Sequence, residues 1–438
     1  MTRPRHRTGA LLPACVAGTA IANNYAIQPA LTRVAADLGV PVPVSGLVPT
    51  AALAGSLGGF ALLLPLTDHL APHRLVAAQL TALAAALALA ATATGPATLL
   101  IAYLLIGAAT SVAAQASGIA GRHARPERRG AAVATVAAGM SAGILLSRLA
   151  GGALTDLLGW RRMLLVFAAL ALLGAIAAGA LLPRRRPRPD HGYRAALASL
   201  PPLLRAFPLL RRAVVVGGLW YFAFNLIWVA LALALAGPPY SLDPTAIGLY
   251  SLAGALGLAV LPFTGRLTDR HTPAAVITGC VLAAAAGTAL LAAGPDTPPA
   301  VVLGLALFDA GCFAAQAANM SRVIALDPAR SGSLTSVYLV LYFTIGAIGT
   351  ALAAPLLGAL GWRGTTLTAL AALLLAAFLA PTGRRPTPGE PPQVADRSPG
   401  GRPLSRTART ALSAATRQRT TDNRQQAAAS RQQTTGKP

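Results

Sequence analysis

Runs of Ala, Leu, Gly and Val long enough to cross a bilayer alternate with short polar interruptions along most of this chain. Apolar runs at 10–31, 45–65, 75–94, 97–119, 131–157, 161–182, 213–236, 246–263, 274–293, 299–320, 332–359 and 363–380 predict twelve transmembrane helices. The longest polar interruption ahead of the tail, Pro183 to Arg212, divides these runs six and six. It holds arginines at 184, 185, 186, 188, 194, 205, 211 and 212 against one acid, Asp190. The expected fold is all-α and integral to the membrane, with two pseudo-symmetric six-helix halves at 1–182 and 213–380 and a basic linker at 183–212. Residues 381–438 are rich in Pro, Thr, Gln and Arg and almost free of large apolar side chains, so they read as a disordered basic tail. Arg3, Arg5 and Arg7 ahead of Ala10–Ala20 have the form of a secretory leader, but the many runs downstream favour an uncleaved first span.

Arginine placement sets the expected orientation. With the N-terminus inside, the inner segments up to residue 382 carry twenty arginines and the outer ones four, at 33, 161, 162 and 363. By the positive-inside rule both termini are cytoplasmic and the location is the cytoplasmic membrane. The formal charge of +23 therefore reads as topology and not as a nucleic-acid footprint, since no basic helix or nucleic-acid module is present. Composition agrees: 55% hydrophobic and 11% charged residues, against about 25% charged in ordinary soluble domains. Cys15, Cys280 and Cys312 fall inside apolar runs at no metal-ligand spacing, and no disulfide, metal or cofactor is expected. The histidines lie in terminal or inter-run segments and read as solvated loop residues.

The two halves repeat. Leu66-Thr67-Asp68 matches Leu267-Thr268-Asp269 at an offset of 201; Asn24 matches Asn225 and Gln115 matches Gln316 at the same offset. Arg122 matches Arg322 at 200, and Gly159-Trp160-Arg161 matches Gly361-Trp362-Arg363 at 202. Parallel repeats of this kind are a known way of building transporters from one duplicated unit.

At these residues the chain resembles the major facilitator superfamily, in its twelve-span, drug/proton-antiporter-like form. Gly265-Arg-Leu-Thr-Asp-Arg270 is similar to the family's signature after the eighth span, and Leu66-Thr-Asp-His69 to a weaker copy after the second. Ser147–Arg161 resembles the fifth-span end and following turn of efflux-like members, and Tyr338–Trp362 their eleventh span. The likeness covers roughly 10–380. It departs at Leu64 and Ala71, where glycine is common, and at Tyr103 before Gly107, where many proton-coupled efflux members carry an intramembrane arginine.

The resemblance implies a cytoplasmic gate made by Asp68, Gly265, Asp269 and Arg270, with Asp68 facing the start of the eleventh span near Ser331–Ser333 and Asp269 the start of the fifth near Arg129–Gly130. The bland reading is a plain turn with an exposed acid. Arg148 and Asp309 lie within the fifth and tenth spans, where a charge costs about 2.5–3.5 kcal/mol and needs water or a partner. Arg148 either meets an anionic group of a substrate or holds a structural hydrogen bond near Gly151-Gly152. Asp309 either carries a coupling proton or is a hydrogen-bonded acid near Cys312 and Gln316. Asn23, Asn24 and Gln28 in span one, and Tyr221, Phe224, Asn225 and Trp228 in span seven, share faces by their spacing, as do Tyr338 and Tyr342. Spans one and seven line the central cavity in the superfamily, and aromatic rings with amides suit an apolar or amphipathic organic molecule. Interfacial aromatics and helix-packing amides are the alternative.

The function expected is secondary active transport of a small hydrophobic or amphipathic compound by alternating access, with protons as coupling ion, the direction being efflux by resemblance. A proton-coupled importer and a non-transporting sensor are the alternatives. The partners expected are a small-molecule substrate, protons and the bilayer, without nucleic acid, and the protein is expected to be a monomer. An enzyme is not expected, since neither a His-rich box nor paired aspartates lie at a span end, and no G-x-x-x-x-G-K-[ST] motif suggests a nucleotide-driven pump.

Overall fold

A computed structural model describes residues 10–125, 128–184, 200–258, 272–294, 296–327 and 331–380. The linker core, the 265–270 motif and the tail lie outside the described residues. The helices are α1 (Leu11–Ala22), α2 (Leu31–Leu38), α3 (Val42–Ser45), α4 (Leu47–Gly58), α5 (Pro72–Ala91), α6 (Pro96–Thr110), α7 (Val112–His123), α8 (Arg129–Leu158) and α9 (Trp160–Leu181). After the linker come α10 (Leu200–Ala206), α11 (Pro208–Ala236), α12 (Pro244–Leu249), α13 (Ser251–Leu258), α14 (Pro273–Leu291), α15 (Pro298–Leu326) and α16 (Ser331–Leu379). No strand occurs among the described residues, and nine of their helical segments are long and apolar enough to cross a membrane.

The burial pattern is that of a protein solvated by lipid. Large apolar side chains face outwards all round, among them Ile101, Leu104, Leu173, Ile176, Leu303 and Phe378, while Asn24, Gln28, Arg148, Asn225 and Asp309 are buried. So much exposed apolar surface is stable only against hydrocarbon. Small residues let the helices close up. An added Cβ at Gly107 of α6 would stand 1.8 Å from the Ala52 carbonyl oxygen of α4, and one at Gly143 of α8 would stand 2.4 Å from that of Gly18 in α1. In lipid, where apolar burial drives little, such close backbone approach supplies the packing.

Three of the predicted runs differ from separate simple rods. The run at 332–359 continues into 363–380 as one helical stretch bent at Gly361, whose φ of 64° breaks the helix. The run at 10–31 is interrupted: α1 ends at Ala22, the backbone tightens through Asn23–Ile27 into a 3₁₀ turn at Gln28–Ala30, and α2 carries the chain on to Leu38. Pro29 is the cause. It has no N–H for the Tyr25 carbonyl, which accepts instead from Gln28 N at 3.1 Å.

Candidate functional site

The tightened segment places the first site residues. In a 3₁₀ turn residues i and i+3 eclipse, whereas in an α-helix i and i+4 lie nearly in line. Tyr25 and Gln28 therefore point together, and both meet Arg148: Gln28 Oε1 accepts from Arg148 Nε at 2.9 Å, and the Tyr25 ring centre lies 5.0 Å from the guanidinium carbon. Asn24 is turned elsewhere, donating to Ser56 Oγ (3.3 Å) and Thr110 Oγ1 (3.2 Å) on α4 and α6. Asn23 bonds back to the Thr19 carbonyl. The interruption thus sends neighbouring polar residues to different helices.

Arg148 lies ten residues before the end of α8, about 15 Å along it, and Asp309 eleven residues into α15, about 17 Å. Against a hydrocarbon core about 30 Å thick both sit near mid-depth. Trp228 of α11 joins them. Its ring centre is 4.0 Å from the guanidinium carbon of Arg148, and its Nε1 donates to Asp309 Oδ1 at 3.0 Å. Phe224, one turn earlier, also covers the guanidinium at 5.5 Å. A desolvated cation–π contact is worth about 2 kcal/mol, and three rings surround this cation. The bonds are incomplete: both terminal nitrogens of Arg148 and Oδ2 of Asp309 have no hydrogen-bond partner among the described residues. Space beside that oxygen is scarce, since a Cβ on Gly254 of α13 would lie 2.2 Å from it. A cation and a carboxylate, bridged by one indole and each left with unused bonding capacity, form a centre suited to binding and charge exchange.

From this centre a column of rings runs along α11. Phe308 stacks on Phe224, Phe224 on Tyr221, Tyr221 on Tyr342 with centroids 4.0 Å apart, and Tyr342 on Tyr338. The Tyr25 and Tyr221 hydroxyls lie 2.9 Å apart, linking the interrupted first segment to the column. Tyr338 ends it, donating to Gln316 Oε1 at 2.9 Å and accepting from Asn319 Nδ2 at 3.2 Å. Asn225 returns its amide to the Tyr221 carbonyl of its own helix at 2.8 Å. The structure therefore brings together Gln28, Arg148, Tyr221, Phe224, Trp228, Asp309, Tyr338 and Tyr342, while the Asn24 amide bonds to α4 and α6 and the Asn225 amide to its own helix. Sequence reading missed Tyr25, Phe308, Gln316 and Asn319 as members of this group. Pro29, four residues after Tyr25, was the signal for the first.

Of the four expected gate residues, Gly265, Asp269 and Arg270 lie outside the described residues, and Asp68 closes a short 3₁₀ turn at Pro65–Asp68. A carboxylate does meet a helix start at the opposite end of the bundle. Asp156, in the last turn of α8, accepts from the Thr245 backbone N–H at 2.8 Å and the Thr245 hydroxyl at 2.6 Å, at the first turn of α12. Arg33 approaches the same carboxylate at 3.5 Å. The free N–H groups and the positive end of the helix dipole make that position favourable for an acid.

Comparison with known proteins agrees with this architecture. The chain is 34% identical over 367 residues to "Probable transporter SCO4007" of Streptomyces coelicolor, covering 83% of this chain and 85% of that one. It is 30% identical over 350 residues to "Puromycin resistance protein pur8" of Streptomyces alboniger, covering 65% and 68%. In fold it is similar to the crystal structure of the human organic anion transporter MFSD10 (TETRAN), with a TM-score of 0.64 and 19% identity over 87% of this chain and all of that one. The sequence profile of the Major Facilitator Superfamily matches residues 14–350 and again 221–421, and the chain is a member of that superfamily of membrane transporters.

Proposed function

We propose that this protein exports a small hydrophobic or amphipathic organic compound across the cytoplasmic membrane by alternating access, in exchange for protons. The observation that carries the reading is the buried Arg148–Trp228–Asp309 centre at mid-depth, reached by the interrupted first span through Gln28 and Tyr25. Arg148 belongs to the first half of the proposed twelve-span arrangement, 1–182; Trp228 and Asp309 belong to the second, 213–380. The centre is thus a joint between the parts that rock, with 183–212 as linker, both termini in the cytoplasm and 381–438 as a cytoplasmic tail. A proton arriving on Asp309 cancels the negative charge that steadies Arg148, and the cation then seeks other partners as the halves part. Release of the proton restores the pair. Tyr221, Phe224, Tyr338 and Tyr342 give a flat apolar surface for the compound. Asp68 and Asp269 are the proposed cytoplasmic gate, and Asp156, at the start of α12, closes the other side. Export is supported by the relative named for puromycin resistance.

The test is proton flux in inverted vesicles with a pH-sensitive dye and a panel of hydrophobic drugs. Wild type should show a compound-dependent proton leak, and Asp309→Asn should lose it while reaching the membrane in equal amount. A leak that survives in Asp309→Asn would remove the coupling role from this carboxylate.

A further inference from the structure

The two Gly-Trp-Arg turns of the repeat end differently, and the second opens onto a cavity. In the first, Trp160 Nε1 donates to Asp37 Oδ2 at 3.1 Å, and Arg161 pairs with the same carboxylate, donates to the Ala93 carbonyl at 2.9 Å and lies over the Trp160 ring. The last turn of α2 and the loop after α5 are thereby fastened to the arginine. In the second, Trp362 Nε1 donates to the Leu291 carbonyl at 2.7 Å, but the two neighbouring loops fasten to each other: the Tyr240 hydroxyl donates to Asp296 Oδ1. The Arg363 side chain is left exposed, with no hydrogen bond or ion pair of its own among the described residues.

Arg363, Asp296, Tyr240 and Trp362 rim a cavity of about 880 Å³ whose apolar wall includes Leu233, Leu357 and Leu367. Every lining residue lies at or beyond Leu233, so the cavity belongs to the second half alone and is not the path between halves. Leu367 is 49% exposed and shares the lipid-facing surface with Leu360 and Leu374, so the apolar wall continues into the bilayer. Tyr and Trp at the rim are the residues that settle at the membrane–water interface. The charges select the occupant further. A plain anion would meet Asp296 and a plain cation Arg363, whereas a headgroup bearing both signs satisfies each. The Asp296 carboxylate also holds the Tyr240 phenol up at about 12, so the hydroxyl stays a donor, and it engages Oδ1 of the carboxylate.

We propose that this cavity binds a zwitterionic phospholipid whose headgroup carries a primary ammonium, with the phosphate on Arg363, the ammonium on Asp296 and the acyl chains along Leu357 and Leu367. An arginine–phosphate contact is strong and directional, and a primary ammonium, unlike a quaternary one, can donate to the carboxylate.

Native mass spectrometry of the full chain, mixed with equal amounts of phosphatidylethanolamine, phosphatidylglycerol and phosphatidylcholine, tests this directly. Phosphatidylethanolamine adducts should dominate in wild type and fall about tenfold in Arg363→Gln. Asp296→Asn should retain phosphatidylethanolamine and phosphatidylcholine equally, and Arg161→Gln should behave as wild type. Thermal melting of each variant checks that it is folded, as expected for an exposed arginine whose side chain makes no hydrogen bond among the described residues. Equal retention by Arg363→Gln, or a wild-type preference for phosphatidylglycerol, overturns the proposal. Soluble phosphoethanolamine should compete weakly; full displacement by it would overturn the lipid assignment in favour of a free headgroup.

Discussion

Asn24 and Asn225 occupy matching places in the repeat and are both buried, yet one binds its neighbours and the other binds itself. Asn24 crosses to Ser56 and Thr110 on two other helices, whereas Asn225 bonds to the carbonyl one turn back. The other repeated pairs differ in the same sense. Gln115 accepts from Gln79 and donates to the Leu63 carbonyl, tying α7 to α5 and to the end of the second span, while Gln316 accepts the hydroxyl of Tyr338 at the foot of the ring column. Arg161 is tied down, whereas the Arg363 side chain is exposed and has no partner among the described residues. Copies of one residue have kept their places and changed their partners. The first copy became a frame of helix-to-helix bonds, and the second gave its polar groups to tyrosines and to a cavity.

Substitutions can separate frame from working surface. The largest effect is expected at Asp309: Asn keeps an oxygen for Trp228 Nε1, so the protein should fold, and proton-driven transport in vesicles should be lost. Trp228→Phe should come next. The ring still covers Arg148 but the donor to Asp309 is gone, and transport should fall about tenfold while binding of the protein to its membrane is unaltered. Asn24→Ala and Asn225→Ala then test the comparison itself. The first should lower stability in detergent by about 1 kcal/mol through lost interhelical bonds, the second by clearly less, since its bond lies within one helix. Equal losses would erase the distinction between copies. The smallest effect belongs to the arginines: Arg161→Gln should cost no more than about 1 kcal/mol, and Arg363→Gln should be silent in melting, within about 0.5 kcal/mol.

Much of this was legible in the sequence. Length and composition of the apolar runs gave the helices, because hydrocarbon permits few other backbone solutions. Arg148 and Asp309 stood out because isolated charges in such runs are costly. Their connection did not, since Trp228 lies 80 residues from one and 81 from the other, and nothing local marks an indole as a bridge. The grouping in the first span was also hidden. Helical spacing joins Asn24 with Gln28, but Pro29 tightens the turn and joins Tyr25 with Gln28 instead. The fastening of Tyr240 to Asp296 depends on how two loops fold towards each other, which no periodicity records.

The place of Trp228 has an optical consequence. Its face rests on a guanidinium and its edge on a carboxylate, so the electric field across the indole changes whenever either group gains, loses or exchanges a partner. With only four tryptophans in the chain, replacing Trp160, Trp220 and Trp362 by phenylalanine would leave one emitter, seated between the two charges. The colour of its light would then follow the turnover of the centre in real time, without any label added.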